Sequence, residues 1–166
     1  MGTGVNGRGS QRRRGKNGEA VADAIKFGPL ATWIGFNLRM AQEAAFQAFS
    51  RRSQAIGESP GRFAALTLIA RNPGISQTEL SQASGRDKSS VTPVVEDLVR
   101  RGLVERKRTH NDRRAYRLSL TPAGKKTLTE LTRCARRHER NLDQLIGRGE
   151  RKRFISILKK IAAEID

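Results

Sequence analysis

The residues best suited to chemistry in this chain are hydroxyls and cations, and they crowd into one stretch. Ser89, Ser90 and Thr92 stand in the run Asp87-Lys88-Ser89-Ser90-Val91-Thr92-Pro93. Short hydroxyl side chains on one helix face can reach base edges and phosphates. Eight Lys/Arg fall between Arg100 and Arg117, against only Glu105 and Asp112. Surface charge without a partner is usually mixed in sign, so this imbalance points to a polyanion. The alternative is a generic helix pair and hairpin with solvated charges. Paired carboxylates, a Ser/His/Asp set, metal-ligand spacing and a phosphate loop are all missing from the sequence. No enzyme, cofactor or metal is therefore expected. Cys134, with only His110 and His138 beside it, makes a poor zinc set.

Two capped helices are needed to position these groups. Ser76 precedes Glu79 by three residues, the spacing of a capping box. Leu80 and Ala83 give the first helix an inward side, and Gly85 allows a sharp turn. Asp87 caps the second helix. Val91, Val94, Val95 and Leu98 recur at helical spacing and face inward. Ser89, Ser90, Thr92, Pro93 and Arg100 are left for the outer face. A strand follows over 103–108, then a polar turn at 109–112 and an alternating strand over 115–120. This is the outline of a winged helix-turn-helix, which sets one helix in the major groove of duplex DNA. Arg86, Lys88, Arg106, Lys107 and Arg113 are then placed to neutralise phosphates, which supplies affinity but no sequence choice.

The chain has 166 residues and a formal net charge of +17. That excess favours nucleic acid first and an acidic membrane surface second. No apolar run reaches the ~18 residues of a transmembrane helix, and no secretory leader is apparent. Few aromatic residues are present to stack on unpaired bases, which argues against single-stranded targets. Residues 1–18 are Gly-rich and carry five Lys/Arg with no acid. Residues 1–26 read as a disordered basic arm, either touching DNA or dispensable. From Phe27 a helix is expected to run through Arg52 with a stripe of Leu30, Ile34, Leu38, Ala41, Ala45, Ala48 and Phe49. Thr121-Pro122 opens a long helix whose seam is Leu128, Leu131, Ala135, His138, Leu142 and Leu145. A final amphipathic helix follows Gly149. The terminal helices have no obvious partner in the chain, so they are expected to pair across a two-fold axis, with His138 at that interface. The organisation is therefore read as an arm (1–26), a helical dimerisation region (27–56 and 122–166) and a DNA-binding domain (57–121).

These motifs together resemble the MarR family of bacterial transcriptional regulators. The resemblance rests on Asp87–Thr92 opening the recognition helix, Gly102–Val104 entering the wing, Asp112–Arg114 at its tip and Leu120–Gly124 leaving it. Pro93 stands where many members carry a long Arg, and its ring suits thymine methyls. The resemblance covers roughly residues 28–166. It implies a mainly α fold with a small β-wing, a cytoplasmic, nucleoid-associated homodimer and a pseudo-palindromic operator. It also implies that Arg114 enters the minor groove with Asp112 orienting it.

Relatives of this kind respond to aromatic carboxylates, phenolics or aromatic acyl-CoA thioesters, bound between the first helix, the winged domain and the long helix. The resemblance makes Trp33, Phe36, Asn37, Met40 and Phe63 candidate ligand residues, with Arg39 as anion partner. The reactive Cys of peroxide-sensing relatives lies in the first helix, where this chain has none. Cys134 is accordingly read as structural. The expected protein is a repressor that a small aromatic effector releases from DNA. The competing reading is an architectural DNA binder that needs no effector.

Overall fold

The computed structural model describes residues 25–108, 116–147 and 149–165. The basic arm as far as residue 24 and the wing-tip residues Asp112, Arg113 and Arg114 lie outside the described residues. The chain divides after Gln42 into two compact units.

In the first unit a 3-10 turn, Gly28–Ala31, precedes the long helix α1 (Ile34–Ser53), whose residues from Glu43 onward belong to the second unit. The sequence suggested one unbroken helix from Phe27. The turn instead closes on itself, with Thr32 N–H and Oγ1 both donating to Pro29 O at 3.2 and 3.1 Å. Helix α1 restarts beyond it, and Asn37 Nδ2 donates to Trp33 O (2.8 Å) and Ala31 O (3.2 Å). Trp33 O also takes the helical bond from Asn37 N–H (3.1 Å), so the side chain adds a partner for Ala31 O at the break.

The second unit holds α2 (Pro60–Arg71), β1 (Ile75–Ser76), α3 (Gln77–Ala83), α4 (Lys88–Arg100), β2 (Val104–Arg108), β3 (Tyr116–Leu120), α5 (Pro122–Ile146) and α6 (Arg151–Glu164). Each start is capped as its sequence dictates. Ser59, Ser76, Asp87 and Thr121 accept from backbone N–H groups three residues on. The Ser76/Glu79 box is reciprocal, at 3.2 and 2.7 Å. The sheet has strand order β1-β3-β2 and is antiparallel throughout, with Leu118 opposite both Ile75 and Arg106. Strand β1 is two residues long, too short to show an alternating pattern.

Leu66, Ile69, Leu80, Val95, Leu98, Leu118 and Leu131 are fully buried and form the centre of the core. Ser81, not Ala83, joins Leu80 on the inward side of α3. Its Oγ donates to Arg86 O at 2.5 Å and so holds the turn between the two helices. Gly85 in that turn has φ +62°, a conformation other residues rarely adopt. Gly124 meets a different demand: a Cβ there would strike the Leu103 carbonyl. Thr121 has drawn the start of α5 onto that backbone, its Oγ1 donating to Gly102 O at 2.7 Å and its N–H to Leu103 O at 3.1 Å.

Part of the α5 seam packs within the chain. Leu131 is fully buried and His138 is 8% exposed, and α5 lies against α2. Beyond them the apolar residues are uncovered. Leu145 is 83% exposed, and α6 has no buried residue.

Candidate nucleic-acid interface and ligand cavity

The N-terminus of α4 is built around one carboxylate. Asp87 Oδ1 accepts from Ser90 N–H at 2.7 Å and from Ser89 Oγ at 2.5 Å, and Oδ2 accepts from Ser90 Oγ at 3.1 Å. These bonds, the Ser89 hydroxyl first, lower the Asp87 pKa to about 2. Both serine hydroxyls have spent their single proton on Asp87, so what they offer outward is lone pairs. Such acceptors suit the amino groups of cytosine or adenine. Pro93 adds another acceptor. It lies inside α4 and has no N–H, so the helical bond to Ser89 O cannot form. Ser89, Ser90 and Pro93 are all exposed, as are Arg86 and Lys88. Thr92 is differently employed: its Oγ1 donates to Lys88 O at 2.7 Å and accepts from Gln77 Nε2 at 2.6 Å. It ties the start of α3 to α4. On the wing, Arg106 is half-buried, and Lys107 pairs with Glu105 at 2.9 Å on the open surface. Such an exposed pair is easily exchanged for a phosphate.

The far end of α4 is held by charges. Asp97 meets Arg62 at 2.7 Å and Arg101 at 3.6 Å, and also pairs with Arg100. Burial opposes ionisation of Asp97, but these arginines outweigh it and keep its pKa lowered. Glu58, whose side chain is wholly buried, meets Arg101 at 2.7 Å and Arg62 at 3.9 Å. Its oxygens have no well-aligned hydrogen bond, so the attraction is ionic. Ser53 Oγ donates to Glu58 O at 2.6 Å, which anchors the loop to the end of α1.

A cavity of about 730 Å³ opens beside α2. Phe46 and Phe49 of α1, Pro60 and Phe63 of α2, and Ala135, His138 and Leu142 of α5 line it. Phe49 stacks on Phe63 (5.5 Å) and takes the edge of the His138 ring (5.8 Å). His138 Nδ1 lies 3.5 Å from Arg52 Nη1. A guanidinium can only donate, so Nδ1 is the bare nitrogen and the proton sits on Nε2. Burial, and then the Arg52 charge, lower the His138 pKa and keep the ring neutral. Arg136, Glu139, Arg140, Asp143 and Arg151 complete the lining.

The MarR family description matches residues 59–116. Over 152 residues the chain is 34% identical to a putative transcriptional regulatory protein for the hcr operon of Thauera aromatica, covering 91% of this chain and 92% of that one. The chain belongs to the MarR family. It is similar to the transcriptional repressor CouR solved on a 23-mer DNA duplex (TM-score 0.77, 34% identity, 83% of this chain and 98% of that one). CouR bound to p-coumaroyl-CoA matches at TM-score 0.78 and 32% identity, over 85% of this chain and 99% of that one. As a MarR-type transcriptional regulator it is a DNA-binding protein with a winged helix-turn-helix. No helix among its described residues is long and apolar enough to cross a membrane.

In this MarR-family chain, Phe63 is the candidate ligand residue that lines the 730 Å³ cavity. Trp33, Phe36, Asn37, Arg39 and Met40 belong to the first unit. There Arg39 lies over the Phe36 ring at 5.8 Å, and its Nη2 is 3.5 Å from Met40 Sδ. Sequence reasoning missed Phe46 and the arginines of α5 as cavity residues. It read Phe49 and His138 as packing and interface positions. The usable signal was Phe46-x-x-Phe49, two rings on one helix face, alongside Arg136 and Arg140 at i, i+4. Cys134 Sγ sits 3.7 Å from Arg52 O, half-buried against α1.

Proposed function

We propose that this protein is a homodimeric repressor that an aromatic acid or its CoA thioester releases from a pseudo-palindromic operator. The observation carrying the reading is the cavity on α2. Helix α2 lends Pro60 and Phe63 to an aromatic-floored space, and its Arg62 pairs with Asp97 of the recognition helix α4. An apolar pocket with a few placed polar groups is a typical small-molecule site. The similarity to CouR, solved with DNA and with p-coumaroyl-CoA, supports both the partner and the effector class.

In this reading residues 57–121 form the DNA-binding domain, and 27–56 with 122–166 the dimerisation region. Exposed Ile34 (72%), Leu145 (83%) and Ile157 (48%) supply the apolar surface for pairing. Ser89, Ser90 and Pro93 meet base edges, with Thr92 beneath them positioning the helix. Arg86, Lys88, Arg106, Lys107 and Arg113 meet phosphates, and Arg114, oriented by Asp112, enters the minor groove. Phe63 lines the cavity, and Trp33, Phe36, Asn37, Arg39 and Met40 are kept as further candidate ligand residues.

An effector releases DNA only by favouring a dimer whose recognition helices are wrongly spaced. The coupling needed is about 1–3 kcal/mol, or roughly 5–150-fold in operator affinity. A fluorescence-anisotropy titration of operator DNA tests this with a panel of aromatic acids and their CoA esters. At least one should weaken binding within that range. A wild-type protein that keeps its operator through the whole panel contradicts the effector reading and favours the architectural one.

A further inference from the structure

The cavity carries more charge than an aromatic acid uses. Its lining holds Arg136, Arg140 and Arg151 against Glu139 and Asp143. Arg151 on α6 occupies both carboxylates: Nη2 lies 2.9 Å from Glu139, and Nη1 bonds Asp143. Arg136 and Arg140 therefore have no acidic partner among the described residues. Both are exposed at the cavity edge, four residues apart on α5. That spacing sets their Cβ atoms about 5–6 Å apart on one helix face, where like charges repel.

An anion bridging the two guanidiniums would relieve that repulsion. Arginine forks match phosphate oxygens in pairs. A single carboxylate occupies one fork, whereas two linked phosphates occupy both. The floor made by Phe46, Phe49 and Phe63 takes an aromatic ring, and about 730 Å³ leaves room beyond it. Apolar floor and cationic edge together fit a ligand that is aromatic at one end and polyphosphorylated at the other.

We infer that Arg136 and Arg140 bind the phosphates of a carrier attached to the effector, so the effector is the thioester of a phosphorylated carrier and not the free acid. This rests on the aromatic-effector reading above and narrows it. Arg151 is the companion group: it cancels the two lining carboxylates that would otherwise repel those phosphates.

Isothermal titration of the full-length protein tests the assignment with three probes: p-coumaroyl-CoA, the phosphate-free p-coumaroyl N-acetylcysteamine thioester, and p-coumaric acid. Wild type should prefer the CoA thioester over the phosphate-free one by about tenfold or more, the worth of one or two charge-assisted hydrogen bonds. Arg136→Ala/Arg140→Ala should erase that preference and leave the phosphate-free thioester unchanged. The preference of wild type should also shrink as salt rises, because the forks are exposed. Thermal melts with Arg136→Gln/Arg140→Gln guard against a folding defect, and the glutamine pair should give the same pattern. A preference surviving in both double variants overturns the assignment, and so does an equal loss for the two thioesters. A shift in dimer dissociation with ligand affinity unchanged overturns it too, by placing the pair at a contact between copies. Wild-type binding of p-coumaric acid as tight as that of the CoA thioester overturns this inference alone. Wild type binding none of the three, nor any other aromatic acid and CoA ester pair of the panel above, overturns the aromatic-effector reading with it.

Discussion

Asp87 concentrates much of the local logic of the reading helix. It caps α4, and the same carboxylate fixes both serine hydroxyls with their lone pairs outward. Its pKa falls from 3.8 to about 2, so its ionised cap is complete above pH ~4 and is lost as pH drops through ~2. An NMR titration should find the Asp87 carboxyl titrating near 2. Asp87→Ala should weaken operator binding far more than random-duplex binding, because it frees the serines to rotate. His138 runs in the same direction. Its pKa is lowered from 6.5, so between the folded and unfolded values the unfolded chain binds more protons. Stability should therefore fall as pH drops below about 6.5, and His138→Gln should flatten that slope in urea melts. Gly124→Ala drives a Cβ into the Leu103 carbonyl and should cost about 1–3 kcal/mol, the usual penalty of overpacking. The caps at Ser76, Asp87 and Thr121 were legible in the sequence because each acts within three residues. The clamp between Thr92 and Gln77 spans fifteen residues, and no local pattern reveals it.

Among the elements, α2 and α4 are coupled by charges that periodicity cannot show. Glu58 sits in a loop and Asp97 on α4, and no local pattern marks either as paired. Their arginine partners bury them. Arg101→Ala leaves the Glu58 carboxylate only its longer contact to Arg62 and should cost up to about 3 kcal/mol in urea melts, the low end for a broken buried pair because Arg101 is 34% exposed. Pro93 works the other way. Pro93→Ala restores the helical bond to Ser89 O, so it should raise stability by up to ~3 kcal/mol while changing the selected operator sequence. A higher melting temperature with an unchanged base preference would remove Pro93 from the reading face. The two long strands and most helices followed from alternation and 3.6-residue spacing. The two-residue strand β1 and the break before α1 did not. The first spans a single strand period, too little to show a repeat, and the second depends on where Thr32 and Asn37 send their side chains.

For the whole molecule, the sequence exposed the DNA-binding unit more readily than the effector site. The winged unit is assembled from neighbours in sequence, each with its own cap or turn. The cavity draws on α1, α2 and α5, and two of its walls, Phe49 and His138, look like seam residues until the packing is seen. The uncovered apolar faces belong to this scale as well. Ile157→Glu on α6 should turn a dimer into a monomer in sedimentation; an unchanged dimer would move the interface elsewhere. Neutralising 6–10 phosphates would cost affinity about 10³–10⁵-fold between 50 and 200 mM salt. Deleting residues 2–18 should lessen that dependence if the arm's arginines share in it. Hydroxyl-radical footprinting on the chain's own upstream DNA puts the central claim to the most direct test. A dimer reading DNA through two α4 helices should protect two patches about one helical turn apart, ~34–36 Å, on a pseudo-palindromic site. Uniform protection along the duplex, with no preferred site, would contradict it.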